Sequence, residues 1–479
     1  MIDESSAIYQ IFLRNFTPEG TFAAAIPRLA GIAAMGFDWI CLTPIHPIGV
    51  ESRKGKLGSP YAVKDYRAID PALGTMDDFR AFLAAAHGLG LKVMMDVVFN
   101  HTSPDSVLAR ENPEWFLRAG VEPAGGGTAV SAVAAREMMH GLRAPGALGR
   151  KCADWSDVVD LDYGSSPQLW VELMSILVGW REEGVDGFRC DVASLVPVDF
   201  WKQARQRVNQ YDPGLRRERY PLVWLAESVH PRFLKELRDS GWGAWSEPEL
   251  HSVFDLSYDY DGWERLEKVW LGERPAAHYL DYLYVQETLY PKGAKKIRFL
   301  ENHDQKRIAG RFVTRSRFEA WTVMMLFIPG LAFAYMGQEL ALERKPELFE
   351  KDPIDWAGGD KSFRDYFVKV MAACRAAKRE APRFSWKEVG KGVFLLERAH
   401  GPAIGGVAGH GEAATNASAA DRDATKSRRF AALVNLEGWS STITFDKPLR
   451  GRDLVTGETG SLEGETIAPE KPLILEVFA

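Results

Sequence analysis

The chain has 479 residues, too many for one compact domain and enough for two or three. Its net charge of -6, with 26 % charged and 46 % apolar residues, is that of an ordinary globular protein and gives no electrostatic case for nucleic acid or an anionic membrane as partner. No uninterrupted apolar run is long enough to span a bilayer. The N-terminus, Met1-Ile2-Asp3-Glu4-Ser5-Ser6, lacks the basic start and apolar stretch of a signal peptide, so a cytoplasmic protein is expected. Cys41, Cys152, Cys190 and Cys374 show no metal-ligand spacing and read as reduced, buried thiols.

In chain order, Ile8 to Phe12 reads as a first strand, Phe22 to Ala34 as a helix and Trp39 to Thr43 as a second strand. Thr75 with Asp78 three residues on forms a variant capping box, and Gly88-Leu89-Gly90 closes the helix it opens. Strand 3 follows at Val93 to Val98. A helix from Pro167 to Arg181 leads to strand 4, Val185 to Cys190, and a helix over Trp201 to Val208 leads to strand 5, Leu222 to Ala226. His251 to Leu256, Ile297 to Leu300 and Leu331 to Tyr335 read as strands 6, 7 and 8, and Phe363 to Lys378 as the last helix. Eight alternating β–α units predict an α/β protein whose parallel strands close into a (β/α)8 barrel.

Two stretches break this rhythm. Between strand 3 and the next helix lies a segment rich in Gly, Ala and Pro, far longer than a usual βα loop, which predicts an inserted subdomain. After Ala381 only short β runs remain, at Gly392 to Glu397, Arg429 to Leu436, Ser441 to Phe445 and Leu473 to Phe478, with a polar loop over Gly405 to Ser427. The expected domains are therefore a barrel of residues 1–101 and 167–380, an insert of 102–166, and a C-terminal β-sandwich of 381–479.

Four strands end in acidic segments: Asp96 to His101, Gly187 to Asp191, Trp224 to Glu227, and Phe299 to Asp304. Parallel barrels gather such strand ends into one site. Arg189 and Asp191 are two apart and point the same way from an extended strand, so the guanidinium holds Asp191 ionised, as a nucleophile requires. Glu227 follows an apolar run, an environment that keeps a carboxyl protonated for a leaving oxygen. Asp304, beside His303, supplies a third acid. A single strand-end Asp is more often a helix cap or an ion-pair partner; four together fit acid-assisted displacement at an acetal carbon. No phosphate-binding loop, zinc signature or dinucleotide fingerprint competes.

At these residues the sequence resembles the α-amylase superfamily, glycoside hydrolase family 13, over about residues 8 to 380. Asp96 to His101, Gly187 to Asp191, Leu225 to Ser228 and Asn302 to Asp304 are similar to its four ordered regions, and Asp160-Leu161-Asp162 to the motif that ends its inserted domain. The resemblance implies Asp191 as nucleophile, Glu227 as general acid/base and Asp304 as transition-state stabiliser. It implies Arg189, His101 and His303 as sugar-binding groups, Tyr61 as a stacking platform, and Asp96 and Asn100 as supporting residues. A retaining hydrolase of α-1,4 bonds in malto-oligosaccharides or α-glucans is expected. The alternative is a transglycosylase, or an enzyme that forms sugar phosphates, on the same site; a non-catalytic sugar-binding protein is a third reading, against which the full acid triad stands.

Departures from the family pattern bear on substrate and metal. The Lys-His pair whose carbonyl helps build the family's interdomain calcium site is replaced by Ser194-Leu195, so no metal or cofactor is expected despite Asn100. Ala62 follows Tyr61 where exo-acting members carry Asp. His46 to Gly49, Arg53-Lys54-Gly55 and Gly58-Ser59-Pro60 are similar to a loop of the family's maltose-1-phosphate maltosyltransferases, although this chain is shorter and keeps a standard fourth region.

Overall fold

The computed structural model describes residues 2–119, 148–152, 155–210, 221–312, 314–400 and 428–478. Eight strands form one closed parallel ring: β1 (Ala7–Ile11), β2 (Trp39–Leu42), β3 (Lys92–Val97), β4 (Gly187–Cys190), β5 (Val223–Ala226), β6 (Leu256–Tyr258), β7 (Lys295–Arg298) and β8 (Leu331–Tyr335). The ring closes where β8 pairs with β1, Ala7 opposite Ala332 and Gln10 opposite Tyr335. Six of the eight strands are buried along their whole length, which is why they read as continuous apolar runs rather than as alternating ones. At the start of β4 the packing admits only glycine: a Cβ on Gly187 would lie 2.6 Å from the Val223 carbonyl oxygen.

Local signals set several helix ends as expected. Thr75 Oγ1 accepts from Asp78 N at 3.2 Å, and Asp78 Oδ2 accepts from Thr75 N at 2.8 Å. Ser166 caps the helix Pro167–Glu183, and Gly184, at φ +108°, ends it. The last barrel helix, Lys361–Glu380, fastens the two ends of the ring: Arg375 donates to Ser5 O at 2.7 Å and to Asp38 Oδ1 at 2.8 Å.

Three elements differ from the sequence expectation. The first helix is broken into Phe22–Ala25, a 3-10 turn Ile26–Arg28 and Leu29–Ala34, because Pro27 has no N–H for a continuous ladder. Strand 6 starts only at Leu256, since Glu247–Leu250 is a short helix and Asp255 is held by Arg205 at 2.7 Å and by Trp224 N at 2.9 Å. Strand 7 lies two residues earlier than its apolar run. Lys296 hides its start from a hydropathy reading, yet it is buried against Glu247 and Asp261, the latter at 2.7 Å.

Within the insert, His101–Thr102 pairs antiparallel with Val159–Asp160, and Val107–Glu111 is helical. Residues 120–147 and 153–154 of the insert lie outside the described residues, as does the loop expected over Gly405 to Ser427. The C-terminal part is all β, as expected. Its strands β9 (Arg383–Gly390), β10 (Val393–Ala399), β11 (Arg429–Asn435), β12 (Thr442–Asp453), β13 (Thr459–Ile467) and β14 (Leu473–Val477) form one antiparallel sheet in the order β9-β10-β11-β14-β12-β13. Its two faces have different partners. Phe394, Leu396, Phe430, Ala432, Val434 and Ile474 join the barrel core, and Val393, Leu395, Leu433, Ile443, Phe445 and Leu475 make a second cluster on the other face. Among the described residues no helix is long and apolar enough to cross a membrane.

Candidate active site

The acidic segments converge at the C-terminal mouth of the barrel. Asp96 lies within β3, with Asn100 and His101 just beyond its end; Arg189 lies in β4 and Asp191 directly after it; Glu227 directly follows β5. Asn302, His303 and Asp304 come from the loop after β7, and Tyr61 from the loop after β2.

Arg189, fully buried, is the hub. Its Nη1 donates to Asp96 Oδ1 and Oδ2 at 2.9 and 2.8 Å and to Asp191 Oδ1 at 2.8 Å. Its Nη2 lies 2.6 Å from Glu227 Oε1 as an ion pair without hydrogen-bond alignment. Three buried carboxylates thus share one cation. Glu227 Oε2 accepts from Val192 N at 2.9 Å. To present that N–H, Val192 takes φ +34°, a left-handed conformation that β-branched residues avoid.

A second chain of hydrogen bonds fixes His303. Gln10 Nε2 donates to His303 Nδ1 at 3.1 Å, and Gln10 Oε1 accepts from His303 N at 3.2 Å. With Nδ1 accepting, Nε2 carries the proton and donates to Tyr61 OH at 2.6 Å, and Tyr61 OH donates to Asp96 Oδ2 at 3.1 Å. Asp304 Oδ2 is 3.2 Å from the same Nε2. Its side chain is 45 % exposed, whereas Asp191 and Glu227 are almost fully covered. His101 Nε2 stands 4.0 Å from Asp191 Oδ2, with the Trp155 ring edge-on to it at 5.2 Å. All the expected site residues except Asn100 therefore meet in one cluster.

Asn100 instead faces the insert. Its Nδ2 contacts Asp160 Oδ1 at 3.2 Å and His101 Nδ1 at 3.1 Å, and its Oδ1 accepts from Lys151 Nζ at 3.0 Å. Sequence reading missed two residues here. Gln10 was detectable as the only polar side chain in an apolar β1 run, whereas Lys151 carries no local signal. Glu301 and Glu339, both acidic and near the mouth, are structural: Glu301 is bonded to Arg307 at 2.5 Å, and Glu339 to Tyr9 OH at 2.8 Å. Arg53 spends its guanidinium on Gly49 O and Ile48 O at 2.7 and 3.0 Å, and Lys54 pairs with Asp157 at 2.9 Å.

Burial pushes the carboxyls of Asp96, Asp191 and Glu227 up against the pull of Arg189, Glu227 to about 8. Burial also pulls His101 and His303 down to about 4, so both are neutral hydrogen-bonding groups near pH 7. Both catalytic carboxyls are thus raised while touching Arg189, and Glu227, raised further, is the one that keeps its proton to higher pH.

Residues 7–116 and 153–379 match the family model of the α-amylase catalytic domain. An α-1,4-glucan:maltose-1-phosphate maltosyltransferase of Streptomyces coelicolor is 31 % identical over 282 residues, 55 % of this chain and 36 % of that protein. Its namesake in Pseudomonas aeruginosa is 32 % identical over 288 residues, covering 55 % and 37 %. The matched stretch thus spans little more than a third of these relatives' own length. Among solved structures, an α-amylase from Lactobacillus plantarum is 33 % identical with a TM-score of 0.81 over 98 % of both chains. A noncanonic maltogenic α-amylase, AmyB of Thermotoga neapolitana, is 28 % identical with a TM-score of 0.77 over 99 % of both.

Proposed function

The chain belongs to the α-amylase family, and from that premise we propose that it is a retaining transglycosylase of α-1,4-linked glucans, acting through Asp191 and Glu227. The observation that carries the chemistry is the pair of contacts from adjacent nitrogens of Arg189 to Asp191 and to Glu227. Two carboxylates held by one guanidinium suit the close pair of a retaining site, roughly 5–5.5 Å apart, better than the wider pair of an inverting one. Asp191 attacks the anomeric carbon while Glu227 gives its proton to the departing glycosidic oxygen, leaving a glycosyl ester on Asp191. Glu227, now a carboxylate, takes the proton of an acceptor hydroxyl, whose oxygen displaces Asp191 from the anomeric carbon. Asp304, His101 and His303 grip sugar hydroxyls, and Tyr61 offers its ring to the sugar's C–H face.

Hydrolysis stood first in the sequence reading. The curated relatives are named as transferases, which supports transfer over capture by water. Hydrolysis is the second reading, supported by the α-amylase structures that match over the whole length. The Arg53-Lys54 pair lends phosphate no support, since both cations are already engaged. A product time course with maltoheptaose, with and without phosphate, tests this. Chains longer than the substrate, or sugar phosphates, support transfer. Products only shorter than the substrate move the assignment to hydrolysis, and no turnover at all overturns both.

The raised carboxyls set the pH profile. The nucleophile must be ionised, so activity is lost as pH falls through the Asp191 value; the acid must be protonated, so activity is lost as pH rises through that of Glu227. Because burial raises both, the bell in kcat/KM is expected to sit well above the ordinary carboxylate range, with its alkaline limb near pH 8. Initial rates from pH 4 to 10 check this, and Glu227→Gln assayed with an activated aryl glycoside should lack the alkaline limb.

A further inference from the structure

The family resemblance brings with it a calcium site that uses the carbonyl at position 195 and Asn100, and the residues present do not fit one. Both oxygens are turned onto an ammonium: Lys151 Nζ lies 3.0 Å from Asn100 Oδ1 and 3.2 Å from Leu195 O. The nearby carboxylate of Asp160 is committed elsewhere, Oδ1 to Asn100 Nδ2 and Oδ2 to the backbone N–H of Lys151. Calcium needs six to eight oxygens at about 2.3–2.6 Å, and among the described residues no group of three or more His, Cys, Asp or Glu could supply a core for that shell.

We propose that Lys151 is a built-in cation that replaces a metal ion between the insert and the barrel, and that it is a positioning residue for His101 and Asp191. Two segments meet on this one side chain and a third on its backbone N–H. Asn100 adjoins His101, whose Nε2 is 4.0 Å from Asp191 Oδ2. Leu195 ends the 3-10 turn Ala193–Leu195 that follows Asp191 and the left-handed Val192. Asp160 belongs to the ribbon strand paired with His101–Thr102. A neutral side chain at 151 leaves Asn100 Oδ1 and the Leu195 carbonyl without a donor, so the two loops that carry His101 and Asp191 lose their common tie. The burial that lowers the Lys151 pKa is countered by the charge of Asp160, which favours the ammonium. The positioning half of the inference rests on the role given to Asp191 above; the metal-replacement half does not.

Three proteins decide it, each melted and assayed in excess EDTA and in millimolar calcium. The wild type is expected to keep the same Tm and kcat in both. Lys151→Ala is expected to lose about 10–100-fold in kcat, with KM changed less than about threefold, and to melt lower. Lys151→Arg, which keeps the charge and the donors, is expected to recover most of that kcat. A wild-type Tm that falls in EDTA and returns with calcium overturns the metal replacement, whatever the variants do. A Lys151→Ala enzyme with wild-type kcat overturns the positioning role. If Lys151→Ala cannot be purified folded, Lys151→Arg carries the decision, because an inactive or calcium-responsive Arg variant sinks the proposal.

Discussion

Asp191→Asn is expected to lower kcat on maltoheptaose by about 10⁴-fold or more, at least about 5 kcal/mol of transition-state stabilisation, while leaving the protein as stable as the wild type or more so. The amide keeps the oxygen that accepts from Arg189 but cannot form the glycosyl ester. It also removes one negative charge from a buried group of three carboxylates around one cation. Each of these carboxyls has its pKa raised by burial, so each contributes stability when protonated and loses it as pH rises through its folded value. The gap in Tm between Asp191→Asn and wild type should therefore widen from pH 5 to pH 8. Calorimetry at those two pH values, beside the kinetic assay, checks both halves. A variant that loses activity and also melts far lower at both pH values would show that Asp191 holds the fold rather than the substrate.

Arg189→Met is expected to be the most damaging single change to stability, costing about 3–5 kcal/mol at neutral pH. Methionine fills much of the volume but leaves Asp96, Asp191 and Glu227 facing one another without their cation, each almost fully buried. They answer by taking up protons, so the loss should shrink as the pH is lowered toward 5. Urea melts of both proteins at pH 5 and pH 8 measure it; a loss equal at both pH values would mean that volume, not charge, is what Arg189 supplies. Activity should vanish as well, since Asp191 then has no partner to hold it ionised.

The site was largely legible in the sequence and the rest of the fold less evenly so, for identifiable reasons. Asp191, Glu227 and the Asn302-His303-Asp304 segment stood out because parallel barrel strands are apolar runs that end abruptly in polar groups. Arg189 followed from its two-residue spacing to Asp191. The same rule misplaced strand 7, where Lys296 is buried in an ion pair and so carries the wrong polarity for its position. It also stretched strand 6 over His251 to Phe254, whose backbone N–H groups turn back onto the helix Glu247–Leu250. Lys151 was out of reach because its partners, Asn100 and Leu195, are 51 and 44 residues away and no periodicity links them. The C-terminal strands were visible as β runs, but which of their faces the barrel covers was not. Phe394 and Leu396, alternating with Val393 and Leu395, are equally apolar on both faces and do not say.

The closure of β8 onto β1 sets a timetable for biosynthesis. β1 is made well before its partner on one side, which begins opposite Ala7 at Ala332 and is made 325 residues later. At ~5–20 residues per second that is a wait of roughly 16–65 s. Through it β1 holds an open hydrogen-bonding edge on a mostly apolar strand, the kind of surface that recruits other chains. Arg375, which ties Ser5 and Asp38 to the last helix, arrives later still. A nascent chain that stalls before Tyr335 carries every residue of the catalytic cluster and no closed barrel to hold them.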